Sequence, residues 1–326
     1  MQSFEYANPS TLQEAVGLLA ARWGETDVLA GGTDQISLMK EYLHTPHRVV
    51  NIKNIKELEG IHKTSDGGLR IGAVVTMDEL ATNPEVRATH RALAEAAEGI
   101  PSPQIRHMGT VGGDLCQRPR CWYYRQGLGL LAMKDGKSLI PGGENRYHAI
   151  FPNGPAYFVS ASSLGPALVA LGARVKLVSA KGSREVPVSH FFVVPKDESS
   201  REIALLPNEI LTEIIVPAGA THSATYEVRQ KEALDWPLVS AAVALTMRGT
   251  TVASAKVVLG HVAPVPHEAV AADRALAGKT ITTATAETAG RAATEGAQPL
   301  SQNAYKVTLV RTAVKRALMQ AARQKA

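Results

Sequence analysis

Leu29-Ala30-Gly31-Gly32-Thr33-Asp34-Gln35 and Gly109-Thr110-Val111-Gly112-Gly113-Asp114 are the stretches on which the reading of this chain turns. The first follows the apolar run Val28 to Ala30 and precedes Ile36, Met39 and Leu43, which recur at helical spacing, so it joins a strand to a helix. Glycines at such a turn take positive φ freely and let a ligand approach the main chain. The amides that open the following helix, together with its dipole, suit an anion without any lysine; a phosphate or diphosphate is the natural guest. A tight turn that merely needs two glycines would read the same way. The second stretch repeats the pattern, a glycine pair flanked by a hydroxyl and a carboxylate. Two such loops in one chain can clamp both phosphates of a dinucleotide from opposite sides.

Outward from the first loop, a strand at Phe4 to Tyr6, a helix through Leu12, Ala15, Val16 and Leu19 capped by Ser10, and a strand at Arg48 to Ile52 complete a small α/β unit over residues 1–55. A second unit, 56–217, opens with the strand Leu69 to Val75 and a helix whose cap Thr76 can accept from the amide of Asp78 or Glu79. An alanine-rich helix at Arg91 to Ala97, an irregular stretch from Ile100 to Tyr124, a strand at Tyr157 to Ala161 and a helix at Pro166 to Leu171 follow. Val175 to Ser179 and Glu185 to Val188 read as a hairpin around Lys181-Gly182-Ser183. Pro217-Ala218-Gly219-Ala220 reads as a linker to a C-terminal α/β domain, 221–326, with strands at Val239 to Met247 and Val252 to Leu259. Its helices fall near His267 to Leu276 and Ala284 to Glu295, and a last one presents Val307, Val310, Val314, Leu318 and Ala321 on one face, with Lys306, Arg311, Lys315 and Arg316 off it. Strands and helices alternate without a clean βαβ repeat, which makes the fold class α+β.

Composition removes several function classes. The 326 residues are enough for two or three domains. No apolar run reaches the ~18 to 20 residues of a membrane span, and the first residues, MQSFEYANPS, carry neither a basic nor an apolar export region. With only Cys116 and Cys121 there is no disulfide framework, and a cytoplasmic location is expected. The net charge of +5 is spread among acidic residues and aromatics make up 5%, so neither a basic stripe nor a stacking platform for nucleic acid is present. The ten histidines, His44 and His47 among them, show no metal-ligand spacing and read as solvated surface. Gly127-Leu128-Gly129-Leu130-Leu131-Ala132 matches a Rossmann fingerprint but follows no apolar strand. Trp122, Tyr123 and Tyr124 beside Arg118, Arg120 and Arg125 read as packing near the cofactor or a partner rather than as an RNA patch. No nucleophile elbow or paired-carboxylate pattern stands out, so no catalytic residue is assigned.

The strings AGGTDQISLMK (30–40), GGLRIGAVVTMDEL (67–80), SPQIRHMGTVGGDLCQRPRCWYYR (102–125) and ALDWPLVSAAVAL (233–245) resemble the FAD-binding medium subunit of the xanthine dehydrogenase and carbon monoxide dehydrogenase family, in the family's order and over nearly the whole chain. The resemblance implies a vanillyl-alcohol-oxidase-type (PCMH-type) FAD-binding fold of two α/β subdomains plus a small C-terminal domain. It maps FAD diphosphate contacts through backbone amides onto Ala30, Gly31, Gly32, Thr33, Asp34 and Gln35 and onto Thr110, Gly112, Gly113 and Asp114. It adds contacts at Ile100, Tyr123 and Leu211. It also implies a heterotrimer in which a large partner carries the molybdenum cofactor, a small partner carries two-iron two-sulfur clusters, and the FAD here passes electrons to an external acceptor.

Departures from the family pattern stand at Asp114, commonly asparagine, at Tyr123, often aspartate, and at Glu227, where a lysine is usual. Asp114 would set a negative charge beside phosphates unless turned away or paired. Some relatives carry a four-iron four-sulfur cluster on a cysteine-rich insert beginning at the position of Cys121; here the other cysteines are missing, so no cluster is expected and both thiols read as structural. Two other readings remain open on sequence: a stand-alone FAD-dependent alcohol oxidase, which the short C-terminal domain disfavours, and a flavin-free scaffold, which the three departures would explain.

Overall fold

The computed structural model describes residues 1–219, 222–232 and 235–323. Ala220, Thr221, Ala233, Leu234 and residues 324–326 lie outside the described residues, and with them the end of the expected linker and the two limits of the 221–326 domain.

The N-terminal unit is β1 (Glu5–Ala7), α1 (Leu12–Gly17), β2 (Thr26–Leu29), α2 (Gln35–Lys40) and β3 (Arg48–Asn51), with the strands parallel in the order β1-β3-β2. Ala15, Val16, Val50 and Ile52 form its core. The cap of α1 is Thr11 rather than Ser10. Thr11 Oγ1 accepts the Glu14 amide at 3.2 Å while the Glu14 carboxylate accepts the Thr11 amide at 3.3 Å, because only Thr11 stands three residues before the glutamate.

The middle unit runs through β4 (Ile61–Lys63), β5 (Leu69–Gly72), α3 (Met77–Thr82), α4 (Pro84–Thr89), α5 (Arg91–Glu98), α6 (Pro103–Met108), α7 (Val111–Cys116), α8 (Trp122–Arg125), the short hairpin β6 (Met133–Lys134) and β7 (Lys137–Ser138), α9 (Leu164–Ala170), β8 (Arg174–Ser179), β9 (Gly182–Pro187), α10 (Val188–Phe191) and β10 (Ile210–Val216). Its sheet is antiparallel in the order β4-β5-β10-β8-β9. Thr76 caps α3 through Glu79, one of its two expected partners. The stretch from Ile100 to Tyr124 is not irregular: α6, α7 and the start of α8 occupy it, each too short to show a period. Tyr157 to Ala161 is not a strand. Its backbone bonds go to two different places, Ala149 N–H to Tyr157 O at 2.8 Å and Ser160 N–H to Ala263 O at 2.9 Å, so no ladder forms.

The C-terminal unit has β11 (His222–Val228), a strand the sequence reading did not place, then β12 (Val239–Arg248), β13 (Thr251–Gly260), β14 (His267–Glu268), α11 (Val270–Leu276), α12 (Thr283–Ala292) and α13 (Tyr305–Ala321). The sheet is antiparallel in the order β11-β12-β13-β14. One face buries Val243, Leu245, Val257 and Leu259 under Val310, Val314, Ala317 and Leu318 of α13. Each of the larger of these side chains contributes about 1.5–3 kcal/mol by leaving water. Lys306 corrects the helix-face reading: it is only 1% exposed, and its Nζ donates to the carbonyls of Tyr147 and His261, each at 2.9 Å. Burial without a carboxylate pushes its pKa down to about 7. The opposite face of the sheet supplies Ala242, Ala244 and Val258 to the core of the middle unit, against Leu164, Ala167 and Leu168.

Candidate functional site

A cleft of about 380 Å³ opens where the three units meet. The first glycine loop, between β2 and α2, forms one wall, and the second, between α6 and α7, faces it. Ala30, Gly31, Gly32, Thr33, Asp34, Gln35, Ile100, Thr110, Gly112, Gly113, Asp114 and Leu211 all line this cleft, with Glu227 and Trp236 from the C-terminal unit. Tyr123 does not. Its ring meets His148 edge-on at 5.8 Å and it packs against a separate small core that includes Leu131 and Phe158.

The loops touch through backbone. A Cβ on Gly31 would lie 1.9 Å from the carbonyl oxygen of Met108, a contact only glycine permits, and Gly32 sits at φ +71°, where glycine is favoured. Among the described residues the N–H groups of Gly32, Thr33, Asp34 and Gln35 meet no protein acceptor, so the first loop presents a row of free donors to the cleft. The second loop differs from the expectation of a matching cradle. Its Val111 and Gly112 amides donate to the carbonyls of Val75 and Ala73 at 2.8 and 2.9 Å, Asp114 N–H donates to Thr110 O, and Gly113 N–H is capped by Thr110 Oγ1 at 3.1 Å. Only the Thr110 amide lacks a protein acceptor among the described residues of the Gly109 to Asp114 segment. The sequence shows the glycines but not the Ala73 to Val75 segment after β5, whose carbonyls claim the amides of Gly112 and Val111.

Both carboxylates of the loops are tied away from the cleft centre. Asp34 accepts the Arg118 amide at 2.9 Å and pairs with Arg120 and Arg125 at 2.7 and 2.9 Å. Asp114 accepts from the Ser162 hydroxyl, from the amides of Ser163 and Leu164 at 3.2 and 3.0 Å, and from Gln117 at 2.9 Å. It therefore caps α9 instead of repelling phosphates. Burial raises its pKa, and the hydrogen bonds from Ser162, Leu164 and Ser163 work against that rise. Glu227, in the usual lysine position, is buried and paired with Arg229, which also donates to Gly99 O. Its pKa too is raised by burial, with the Arg229 charge opposing.

Trp23, Asp27 and Arg201 line the cleft without having been singled out from the sequence, and Arg118 and Arg120, read there as packing near the cofactor or a partner, line it too. His44 lines the cleft as well, a correction to its reading as solvated surface. Its Nδ1 lies 3.2 Å from Asp27 Oδ2 and its Nε2 3.2 Å from the Tyr124 hydroxyl. Burial would raise the Asp27 pKa, but the hydrogen bond and charge of His44 and the hydrogen bond from Gln35 win, and it is held low. The Arg-Pro-Arg run at 118–120 was the available signal, since two guanidiniums so close together need carboxylate partners. Neither thiol is poised to react. Burial pushes Cys116 up to about 12 and raises Cys121, whose Sγ lies 3.2 Å from His148 Nε2. Among the described residues no group of three or more His, Cys, Asp or Glu is placed to hold a metal.

A dinucleotide fits what is here. The row of free amides suits a diphosphate, and a Cβ on Gly113 would meet only Thr110 Oγ1, with open cleft on its remaining side. The comparisons agree. The family described as "FAD binding domain in molybdopterin dehydrogenase" matches residues 2–219, and "CO dehydrogenase flavoprotein C-terminal domain" matches 224–321. The medium chain of carbon monoxide dehydrogenase from Hydrogenophaga pseudoflava is 30% identical over 97% of this chain and 96% of its own. The FAD-binding subunit of an Escherichia coli aldehyde oxidoreductase is 29% identical over 99% and 100%. Among solved structures, quinoline 2-oxidoreductase from Pseudomonas putida 86 superposes with a TM-score of 0.77 at 26% identity, over 98% of this chain and 97% of that one. With both of its halves matched in order, the chain belongs to the FAD-binding medium-subunit family of carbon monoxide dehydrogenase and xanthine dehydrogenase.

Proposed function

We propose that this chain holds FAD in the cleft, with the diphosphate on the free amides of Gly32 to Gln35, and works as the electron-transfer subunit of a molybdenum hydroxylase. Electrons pass between iron–sulfur clusters on a small partner subunit and an external acceptor, while the substrate is turned over at a molybdenum cofactor on a large one. The observation that carries this reading is the row of unbonded amides facing a second glycine loop across one cleft. The vanillyl-alcohol-oxidase-type arrangement, the boundaries 1–55, 56–217 and 221–326, and a cytoplasmic location belong to the same proposal. No helix among the described residues is long and apolar enough to cross a membrane.

When bound, the flavin supplies the redox chemistry. The protein supplies position and exclusion of water. The first loop offers neutral donors to the diphosphate, Ile100 and Leu211 offer apolar surface, and Thr110 and Gly113 form the facing wall. Tyr123 has no part in it, lying outside the cleft. No general acid or base is assigned to the chain, in keeping with a relay whose substrate is bound by a partner.

The test is isolation of the tagged chain from its native host. A yellow preparation with stoichiometric flavin, accompanied by a large molybdenum-bearing and a small iron–sulfur subunit, is the expected result. A colourless chain that always purifies alone would overturn it.

A further inference from the structure

Three guanidiniums reach the cleft from outside the glycine loops, those of Arg118, Arg120 and Arg201. Arg118 and Arg201 share one carboxylate, Glu202, with Nε–O distances of 2.7 and 3.5 Å. Arg120 stands apart in being paired with a carboxylate of the first glycine loop itself. Its Nη1 lies 2.7 Å from Asp34, which also serves Arg125, and its Nη2 donates to Gln117 Oε1 at 3.0 Å. The guanidinium lies 4.3 Å over the ring of Trp236, another residue of the cleft. Its Nε, like those of Arg118 and Arg201, is buried with no hydrogen-bond partner among the described residues. Arginine carries five N–H donors, so with two engaged, three are left without a protein acceptor among the described residues.

The carboxylates in and beside the cleft have partners of their own: Asp27 has His44 and Gln35, Asp34 has Arg120 and Arg125, Glu202 has Arg118 and Arg201, Glu209 has Arg184, Glu227 has Arg229, Asp114 has the start of α9, and Asp235 has the amides of Gln230, Lys231 and Trp236. Burial brings the Arg120 pKa down to about 10, which leaves it charged at neutral pH. A diphosphate brings negative charge into a site whose first loop offers only neutral donors and whose second loop offers almost none.

We propose that Arg120 is the cationic partner of the FAD diphosphate, meeting from the 117–125 segment the phosphates that the first-loop amides hold. Asp34 and Trp236 keep the guanidinium extended toward that point, so little ordering is required on binding. The inference rests on the FAD reading and adds to it the residue that selects for phosphate.

The full-length chain, stripped of flavin, is titrated with FAD, FMN and riboflavin. In Arg120→Gln the dissociation constants of FAD and FMN should rise about 10- to 100-fold, as expected for a lost charge-assisted bond, while that of riboflavin stays unchanged. Arg120→Lys retains the charge beside Asp34 and should show the same ranking at a few-fold loss, so the result does not hang on the folding of the glutamine variant. Riboflavin weakened as much as FAD, or FAD left unweakened in both variants, would overturn the role of Arg120 while leaving the FAD reading intact. Failure of the unsubstituted chain to take up FAD would overturn both.

Discussion

Among the described residues the first glycine loop leaves the amides of Gly32, Thr33, Asp34 and Gln35 without protein acceptors, whereas the second commits those of Val111, Gly112, Gly113 and Asp114 to its own protein. The same residue types thus do opposite work. In the first loop glycine keeps side chains away so that donors reach the cleft. In the second, Gly112 lets the backbone lie against Ala73, whose Cβ would sit 2.9 Å from an added Cβ, and the loop becomes a braced wall. A glycine pair marks close approach to something, and the neighbouring strands decide whether that is a ligand or the protein itself.

The largest effect that would break this comparison is at Gly31. Gly31→Ala must push the Met108 carbonyl from a 1.9 Å contact, so the loops part, with a stability loss of about 3 kcal/mol or more and no retained flavin. Urea denaturation reads the loss directly, and a shift within about 0.5 kcal/mol would mean the loops do not touch. Gly113→Val comes next. Its added Cβ meets only the Thr110 hydroxyl within 4 Å, and the residue lines the cleft, so the chain should stay folded while its flavin-to-protein absorbance ratio drops about tenfold. Full flavin content in a folded variant would place the ligand elsewhere. Thr110→Val is the smallest. It removes the cap on Gly113 N–H and should cost about 1 kcal/mol in thermal or chemical unfolding, with flavin content preserved. Flavin loss as severe as in Gly113→Val would make the second loop a donor after all and erase the asymmetry.

Much of this was legible in the residues. Both glycine loops, α3 with its Thr76 cap, the hairpin β8 and β9 and the paired strands β12 and β13 follow from local pattern, since each is specified within a short window. Six-residue helices such as α6 and α7 show no period, and so the segment between them read as irregular. Tyr157 to Ala161 has the composition of a strand but no neighbour to pair with. Lys306 looked like a surface residue because the two carbonyls that accept from it lie 159 and 45 positions away in the chain. The candidate site divides in the same way. Its glycines are visible one by one, whereas the amides' partners, the tie between Asp34 and the arginines, and the capping role of Asp114 are all long-range.

The C-terminal sheet buries side chains on both faces, one under its own helices and the other, through Ala242, Ala244 and Val258, against the α9 side of the middle unit. Ile150 and Phe151 return the exchange, entering the core beneath α13. Cutting the chain at the proline-bearing connection would therefore not release a self-sufficient module. It would bare greasy surface on both fragments, and because Asp114 grips the first turn of α9, the raw edge would run up to the back of the nucleotide cleft.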